Sequence, residues 1–386
     1  MGASHPVTNQ SLKVLALEPY FTLSHRTFLE GYRRYSRHRV EIWDLPPRKW
    51  KWRMRGAAFY FAERAGALSP AEAPDVVLAS DFLNLSDWKS IAPRPFREAP
   101  SILYFHENQA TYPLGAAAPA DFHYGWINLS SALAADRILF NSWFHLGEFL
   151  REIRRVLALM PDHVPTDLAG KVERRSSVFP VGIDFEPHDT VKAGAPRQAS
   201  FPPVIVWNHR WEYDKDPGLL VDTLVSLKKD HVPFRAILCG QVSRETPPDF
   251  ARAVSDLEGN LIHAGFLDRR EDYLRMLRRA DVVLSTARHD FFGVAVVEAM
   301  YMGCLPVLPR ALSYPEILPP HLHAAFLYEK RAKLRDFLAA FLAALPAHLG
   351  SEIEASAARF DWRRLAPGLD RIVEETVEAA SPETQP

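Results

Sequence analysis

The sequence predicts an α/β protein made of two successive parallel-sheet units. Short apolar runs alternate with helical patterns along the chain, the rhythm of strands buried beneath helices. That rhythm lapses at residues 186–203, which are rich in Pro, Gly and small residues, and restarts at Val204, so the stretch reads as a linker. A chain of 386 residues also suits about two domains of ~100–200 residues each.

In the first unit, strands are expected at 13–17, 40–44, 76–79, 101–105 and 137–140, with helices at 25–35 and 122–134 among the intervening segments. The second unit begins with a strand at 204–208 and a helix at 218–229. A strand at 234–239, a helix at 249–257, a short strand at 261–263 and a helix at 270–279 follow. The unit continues with a strand at 282–285, a helix at 294–302 and a strand at 305–308. Residues 362–377 are apolar at i, i+3/i+4 positions and read as a terminal helix. Open parallel sheets bind ligands beyond the carboxyl ends of their strands, so two such units offer two edges to one cleft.

Composition is that of an ordinary globular protein, with 47% hydrophobic and 24% charged residues. A formal net charge of −1 means that any nucleic-acid surface is local. The two cysteines, Cys239 and Cys304, end apolar runs without metal spacing, which points to buried thiols and a reducing compartment. No run of 18 apolar residues occurs and no leader pattern precedes the first strand, so a cytoplasmic protein without a membrane span is expected.

The most informative stretch is 282–298. An apolar strand leads through Ser285-Thr-Ala-Arg-His-Asp-Phe-Phe-Gly293 into a helix beginning at Val294. A helix N-terminus entered through glycine presents free N–H groups and a positive dipole end to an anion. Asp290 and Glu298 bracket that terminus, and carboxylates beside an anion site suit hydroxyl donors. Phosphate with several hydroxyls describes a nucleotide sugar.

Arg210 and Lys215 leave the carboxyl end of the first strand of the second unit. Taken alone they read as solvated loop charges. Beside the Gly293 terminus they read as the cations that neutralise a diphosphate. Asp214-Lys-Asp216 has the form of a D-x-D metal pattern, but Pro217 favours Asp216 as a helix N-cap. In the first unit, His106 ends a strand, where it could bond a sugar hydroxyl or be satisfied within the protein. His106-Glu-Asn-Gln-Ala110 is not H-E-x-x-H, so a zinc protease is not supported. Ser24 and His25 follow the first strand, with Ser24 alternatively a cap for a helix at 25–35. Asn141-Ser142 follow the strand at 137–140 in the same way. Arg48-Lys49-Trp50-Lys51-Trp52-Arg53-Met54-Arg55 interleaves five cations with two tryptophans. That suits phosphates and unpaired bases of an RNA loop; its ordinary reading is a solvated helix face.

The second-unit motifs resemble those of GT-B retaining glycosyltransferases of the family 4 type. That group pairs an Arg and a Lys after the first strand of its C-terminal domain with a Glu-x7-Glu pattern. The corresponding residues here are Arg210, Lys215, Asp290 and Glu298, with Asp290 one methylene short of the pattern. Lys49-Trp-Lys-Trp-Arg53, Tyr104-Phe-His-Glu-Asn-Gln109, Pro161-Asp-His163, Trp211-Glu-Tyr-Asp-Lys-Asp-Pro217, His289-Asp-Phe-Phe-Gly293 and Tyr314-Pro-Glu-Ile317 narrow the likeness. In that order they resemble the tRNA-queuosine α-mannosyltransferase family, from the first strand to Asp361-Trp362.

The resemblance implies a GT-B fold, two Rossmann-like domains facing across a cleft, with the C-terminal helix crossing back to the N-terminal domain. Its expected parts are a tRNA-binding domain at 1–186, a nucleotide-sugar domain at 204–360 and the returning helix at 361–380. It implies GDP-mannose as donor, a cyclopentene hydroxyl of queuosine in the anticodon loop of tRNA-Asp as acceptor, and no metal. The catalytic residues expected are His106, Arg210, Lys215 and Asp290. Donor contacts are expected from Ser24, His25, Asn141, Arg210, Lys215, Asp290, Phe292, Gly293, Val294 and Glu298. Contacts to tRNA are expected from Arg48, Lys49, Trp50, Lys51, Trp52, Arg53 and Arg55. With no clear carboxylate nucleophile, a front-face displacement is expected in which the departing phosphate takes the acceptor proton. Arg269, Arg270, Arg278 and Arg279 read as surface charges, and a monomer is expected. Two rival readings stay open: a transferase for lipid or polysaccharide acceptors, with 54–65 as a weak membrane-facing helix, and a non-catalytic tRNA- or nucleotide-sugar-binding protein.

Overall fold

The computed structural model describes residues 11–112, 122–194, 197, 201–242 and 248–381. The first sheet contains β1 (Lys13–Glu18), β2 (Arg39–Asp44), β3 (Val76–Ser80), β4 (Ser101–Phe105), β5 (Arg137–Phe140) and β6 (Ser176–Val178). The second contains β7 (Val204–Trp207), β8 (Arg235–Cys239), β9 (Leu261–Gly265), β10 (Val282–Leu284), β11 (Leu305–Pro309) and β12 (Leu327–Tyr328). All neighbouring strands pair in parallel. Helices cover both faces, which is why β3, β4, β7 and β11 read as near-continuous apolar runs and are buried at every position.

The strand orders locate the cleft. The first sheet runs β2-β1-β3-β4-β5-β6, so its direction of winding reverses between β1 and β3. The second runs β12-β11-β10-β7-β8-β9 and reverses between β7 and β10. At such a reversal the connections leave in opposite directions and open a crevice beyond the strand ends. His25, in the first helical turn after β1, therefore lies at one reversal, and the Arg210 and Asp290 loops lie at the other.

Three expectations change. The first helix starts at Leu23 with Thr22 as N-cap, so Ser24 is inside its first turn and is not its cap. The linker opens with a helix, Glu186–Gly194, whose buried residues are only His188 and Val191, too few to give a visible period. Strands β6 and β12 have no sequence signal of their own; Ser-Ser-Val and Leu-Tyr become strands by joining an existing sheet edge.

The last helix, Trp362–Ala380, begins on Asp361, whose side chain accepts from the Arg363 amide. It packs on the helix Leu23–Tyr35. Ser36 and the Arg37 amide bond Asp370, and Arg137 pairs with Glu375 at 2.6 Å.

Candidate active site

At the β7/β10 reversal, the loop after β7 carries Arg210 and Lys215 toward the loop after β10. Lys215 Nζ donates to the His289 carbonyl at 2.8 Å and lies 3.2 Å from Asp214 and 3.4 Å from Asp290. Asp290 also accepts from Tyr314 Oη at 3.1 Å and from the Phe292 amide at 3.4 Å. Burial alone would raise the Asp290 pKa, but Lys215, helped by the Phe292 amide, holds it below the usual carboxylate value. Gly293 has φ 93°, a left-handed conformation natural to glycine. It opens the helix Val294–Tyr301, whose N-terminus no side chain caps. Phe292 is buried and Val294 half-buried at that terminus.

Arg210 stands half-exposed at the mouth, 3.0 Å from Glu212, and donates to Tyr112 Oη of the first domain at 3.5 Å. His209 and His289 flank the site. Burial and the Lys215 charge push both imidazoles down to about 4, so both are neutral at pH 7. Asp214 and Asp216 are matched to cations, the first to Lys215 and the second to Arg288 and Arg331. Asp216 also caps the helix Pro217–Lys229, accepting from the Leu219 amide at 3.3 Å, as its Pro217 neighbour foretold.

Glu298 lies deeper, on the inner turn of the same helix. It is paired with Arg270, accepts from Tyr273 Oη at 3.2 Å, and has His188 at 3.7 Å. Burial opposes its charge, yet Arg270 and His188 bring it down to about 2. Arg270, although exposed as the sequence suggested, is thus also the ion-pair partner of Glu298. Arg278 likewise turns inward, donating to the Met302 carbonyl at 3.1 Å. Asn208 joins this group by donating to Tyr273 Oη at 2.9 Å and to the Ala295 carbonyl at 2.7 Å.

Across the cleft, the strand ends β1, β3 and β4 gather Glu18, His25, Asp81 and His106. His25 Nδ1 is 2.8 Å from Glu18 Oε2. The His25 and His106 rings stack, with centroids 4.0 Å apart and planes 23° apart. Burial would lower the His25 pKa, but Glu18 overrides it and raises it to about 9. Burial and the His25 charge keep His106 well below its ordinary value. The result is an imidazolium beneath a neutral imidazole. Glu18, His25 and His106 have ligand atoms within 4.8 Å of one another. The ring lone pairs lie in nearly parallel planes, however, and so do not converge on one ion. The His25 pair carries a stability signature. Its ordinary pKa of 6.5 becomes about 9 on folding, so its contribution is full below 6.5 and lost as pH rises through 9. The urea midpoint of the wild type is expected to fall over that window, and that of His25→Gln to lack the fall.

Not every candidate faces the cleft. Asn141 donates to the His106 carbonyl at 2.8 Å and meets His145 Nδ1 at 2.9 Å, so both ends of its amide fix the loop. Ser24 is exposed, 3.3 Å from Thr22 Oγ1. The domains also touch beside the site. Ser142 Oγ donates to the Phe291 carbonyl at 2.6 Å, and His145 stacks on Phe291 at 3.8 Å. Glu316 accepts the amides of Trp143 and Phe144 at 2.8 and 2.6 Å, a carboxylate on a helix N-terminus supplied by the other domain.

The Trp-basic segment opens the helix Trp50–Gly66 after Lys49 in the left-handed region. Trp50 is half-buried against Tyr124, with Lys51 and Arg55 over the same ring. Trp52 is 63% exposed, and Phe59 and Tyr60 are also exposed. Arg48, Lys49, Lys51 and Arg55 face outward, whereas Arg53 folds back on the Pro46 carbonyl. Met54, Ala57, Ala58, Phe61, Ala62 and Ala65 are buried inside the protein. That side of the helix is therefore spent on the core, and the outward side mixes Trp52, Phe59 and Tyr60 with cations.

Known families match both halves of this arrangement. Residues 13–183 match the tRNA-queuosine alpha-mannosyltransferase N-terminal family, and residues 195–343 match the glycosyl transferases group 1 family. The tRNA-queuosine alpha-mannosyltransferase of Drosophila melanogaster is 37% identical over 313 residues, covering 79% of this chain and 81% of that protein. The chain belongs to the tRNA-queuosine alpha-mannosyltransferase family. It is a glycosyltransferase, and the fold is GT-B. Sucrose-phosphate synthase of Thermosynechococcus elongatus superposes with a TM-score of 0.70 at 14% identity, covering 96% of this chain and 100% of that one. The Anabaena protein HepE in complex with UDP superposes with a TM-score of 0.63 at 16% identity, covering 95% and 100%. Among the described residues no helix of the enzyme is long and apolar enough to cross a membrane.

The enzyme's site includes residues whose sequence context gave no chemistry. Tyr314 and His289 lay inside quoted motifs, but nothing there tied them to Asp290 and Lys215. Glu18, Asp81 and Arg270 carried no local signal; adjacency to strand ends was the only available clue.

Proposed function

We propose that the enzyme transfers mannose from GDP-mannose, with retention, to the cyclopentene hydroxyl of queuosine in the anticodon loop of tRNA-Asp. The observation that carries this reading is the convergence of Lys215, Asp290 and the Gly293 helix start at one sheet reversal, opposite His106 at the other. Arg210, Lys215 and the helix N-terminus take the diphosphate and stabilise the charge that builds on it. Asp290 takes mannose hydroxyls, and its fixation by Lys215 and Tyr314 supplies the precision that its shorter side chain would otherwise lack. The amides around Phe292, Gly293 and Val294 assist. Glu298, already held by Arg270 and Tyr273, receives the ribose hydroxyls. His106 meets the sugar from the first domain, and no metal takes part.

The acceptor reading draws on the family and on the outward face of Trp50–Gly66. Exposed aromatics beside cations that lie in no ion pair among the described residues suit an RNA loop, where bases stack and phosphates are neutralised. Trp52→Ala is expected to weaken tRNA binding by about 1–3 kcal/mol, with donor KM unchanged. Gel shifts and donor titrations measure the two separately, and equal losses in both would contradict the assignment. The reaction itself is tested by nucleoside mass spectrometry of queuosine-containing tRNA after incubation with a panel of nucleotide sugars. Mannosyl-queuosine formed only from GDP-mannose is the expected product, and a different hexose or no hexose would reject the donor assignment. A non-catalytic protein would leave every tRNA unlabelled.

A further inference from the structure

The loop after β4, residues 106–112, is fixed from beneath by side chains that grip its backbone. Asp81 Oδ1 accepts the amides of His106 and Glu107 at 2.9 and 3.4 Å, and Asn141 donates to the His106 carbonyl. Asn128 Oδ1 accepts the Gln109 amide at 2.7 Å, and Asn108 Oδ1 accepts that of Thr111 at 2.9 Å. A loop held this way can aim a side chain without any help from ligand. His106 points back over His25. Further along, Tyr112 reaches the second domain, contacting Arg210 and setting its ring 5.4 Å from His289. Glu107 stands between these two anchors.

Its carboxylate differs from its neighbours. Glu18, Glu212, Asp214, Asp290 and Glu298 are each in an ion pair. Asp81 is fully buried on the loop amides. Glu107 is half-buried and, among the described residues, lies in no ion pair; His25 and Arg210 act on it from beyond contact distance. One of its oxygens is held, Gln109 Nε2 donating to Oε1 at 2.8 Å, and Oε2 has no hydrogen-bond partner among the described residues. A carboxylate with one oxygen clamped and the other open has the form of a proton acceptor placed for a hydroxyl.

We propose that Glu107 is the catalytic base that receives the acceptor hydroxyl, in place of the departing phosphate. This rests on the transferase reading given above, in which the donor lies on the second domain. The acceptor O–H bond breaks as its oxygen bonds the sugar C1 on the face that the diphosphate leaves, so the configuration is kept. The C1–O bond to the diphosphate breaks and its electron pair leaves with the nucleotide. The proton goes to Glu107 Oε2, which returns it to water after product leaves. Burial raises the Glu107 pKa above the ordinary carboxyl value, toward that of a useful base; His25 and Arg210 pull it back. The titratable groups around it are Tyr20, His25 and Asp81 of the first domain, Tyr112 of its own loop, and Arg210 and Asp214 across the cleft.

The test uses the full enzyme with queuosine-containing tRNA and the donor that the wild type accepts. Glu107→Gln keeps shape and the Gln109 contact geometry but cannot take a proton. It is expected to lower transfer kcat by about 10²–10⁴-fold. Donor KM and tRNA affinity should stay within about threefold. The acid limb of the wild-type pH–rate profile, which reports protonation of this carboxylate, should vanish. Gln109→Ala, which frees Oε1, should shift that limb and leave part of the rate. A Glu107→Gln enzyme with kcat near wild type, or with an unchanged acid limb, overturns the proposal. So does a loss confined to donor KM, which would give Glu107 to the donor sugar. If the wild type modifies no tRNA with any donor, the transferase reading fails first and independently of both variants.

Discussion

Replacing Lys215 with alanine is expected to reduce glycosyl transfer by about 10²–10³-fold, mostly in kcat. Lys215 is the hub of the second-domain site. Its ammonium bonds the His289 carbonyl and lies against both Asp214 and Asp290, so it ties the loop after β7 to the loop after β10. In the proposed mechanism its loss removes the cation facing the leaving diphosphate; in the structure it leaves Asp290 without its positive neighbour. Each of those effects falls on the transition state more than on the bound donor, because charge builds on the diphosphate as the glycosidic bond breaks. Lys215→Arg keeps the charge but brings a planar fork to a place shaped for a compact ammonium, so it should recover only part of the rate. Transfer of labelled sugar at saturating donor, with a urea midpoint to verify folding, measures the effect. An alanine variant with kcat within about tenfold of wild type would remove Lys215 from the mechanism.

Trp362→Ala is expected to cost about 3–5 kcal/mol of stability. Trp362 is fully buried where the chain crosses back to the first domain. Its ring meets Phe28 at 5.1 Å, Tyr32 at 5.7 Å and Phe179 at 6.2 Å, and its Nε1 donates to the Thr27 carbonyl at 3.4 Å. Two glycines admit it. A Cβ on Gly31 would lie 2.1 Å from its Cδ1, and one on Gly182 would lie 2.3 Å from its Cε2. The neighbouring backbone closes the seam, with the Ile183 amide donating to Phe360 at 2.8 Å and the Trp362 amide to Ile183 at 3.0 Å. Truncation therefore leaves a cavity that rigid strand ends and a helix cannot collapse. Urea unfolding gives the loss directly. Gly31→Ala should destabilise as well, by collision with the same ring, and a neutral result for both variants would contradict this packing.

Much of the fold was legible because buried parallel strands must be apolar on both faces. Runs such as Val76–Ser80 and Ser101–Phe105 are strands for that reason, and the structure pairs them where the pattern placed them. The helix start at Gly293 was legible too, since glycine before an apolar helical run marks an uncapped N-terminus. The short edge strands were not, because Ser176–Val178 and Leu327–Tyr328 owe their state to the neighbour they join. In the candidate site, Lys215 and Asp290 were singled out through motifs, whereas Arg270 was read only as a surface charge. Its stem is half exposed, and only the folded chain shows its guanidinium on Glu298, 28 positions away.

The sequence by itself determined the alternation of strand and helix, the break between two units, and an uncapped helix start between two carboxylates. These follow from local rules: apolar periodicity, glycine geometry and the chemistry of each side chain. Tertiary structure alone decided which charges face one another. Glu18, His25, Asp81 and His106 come from separate strand ends and meet because the first sheet reverses between β1 and β3. Charges that are solvated in one arrangement and paired in another have the same sequence, so pairing is settled only when packing fixes distance and excludes water. The same packing leaves Glu107 outside any ion pair among the described residues, while Glu18, Asp214 and Asp290 each have one.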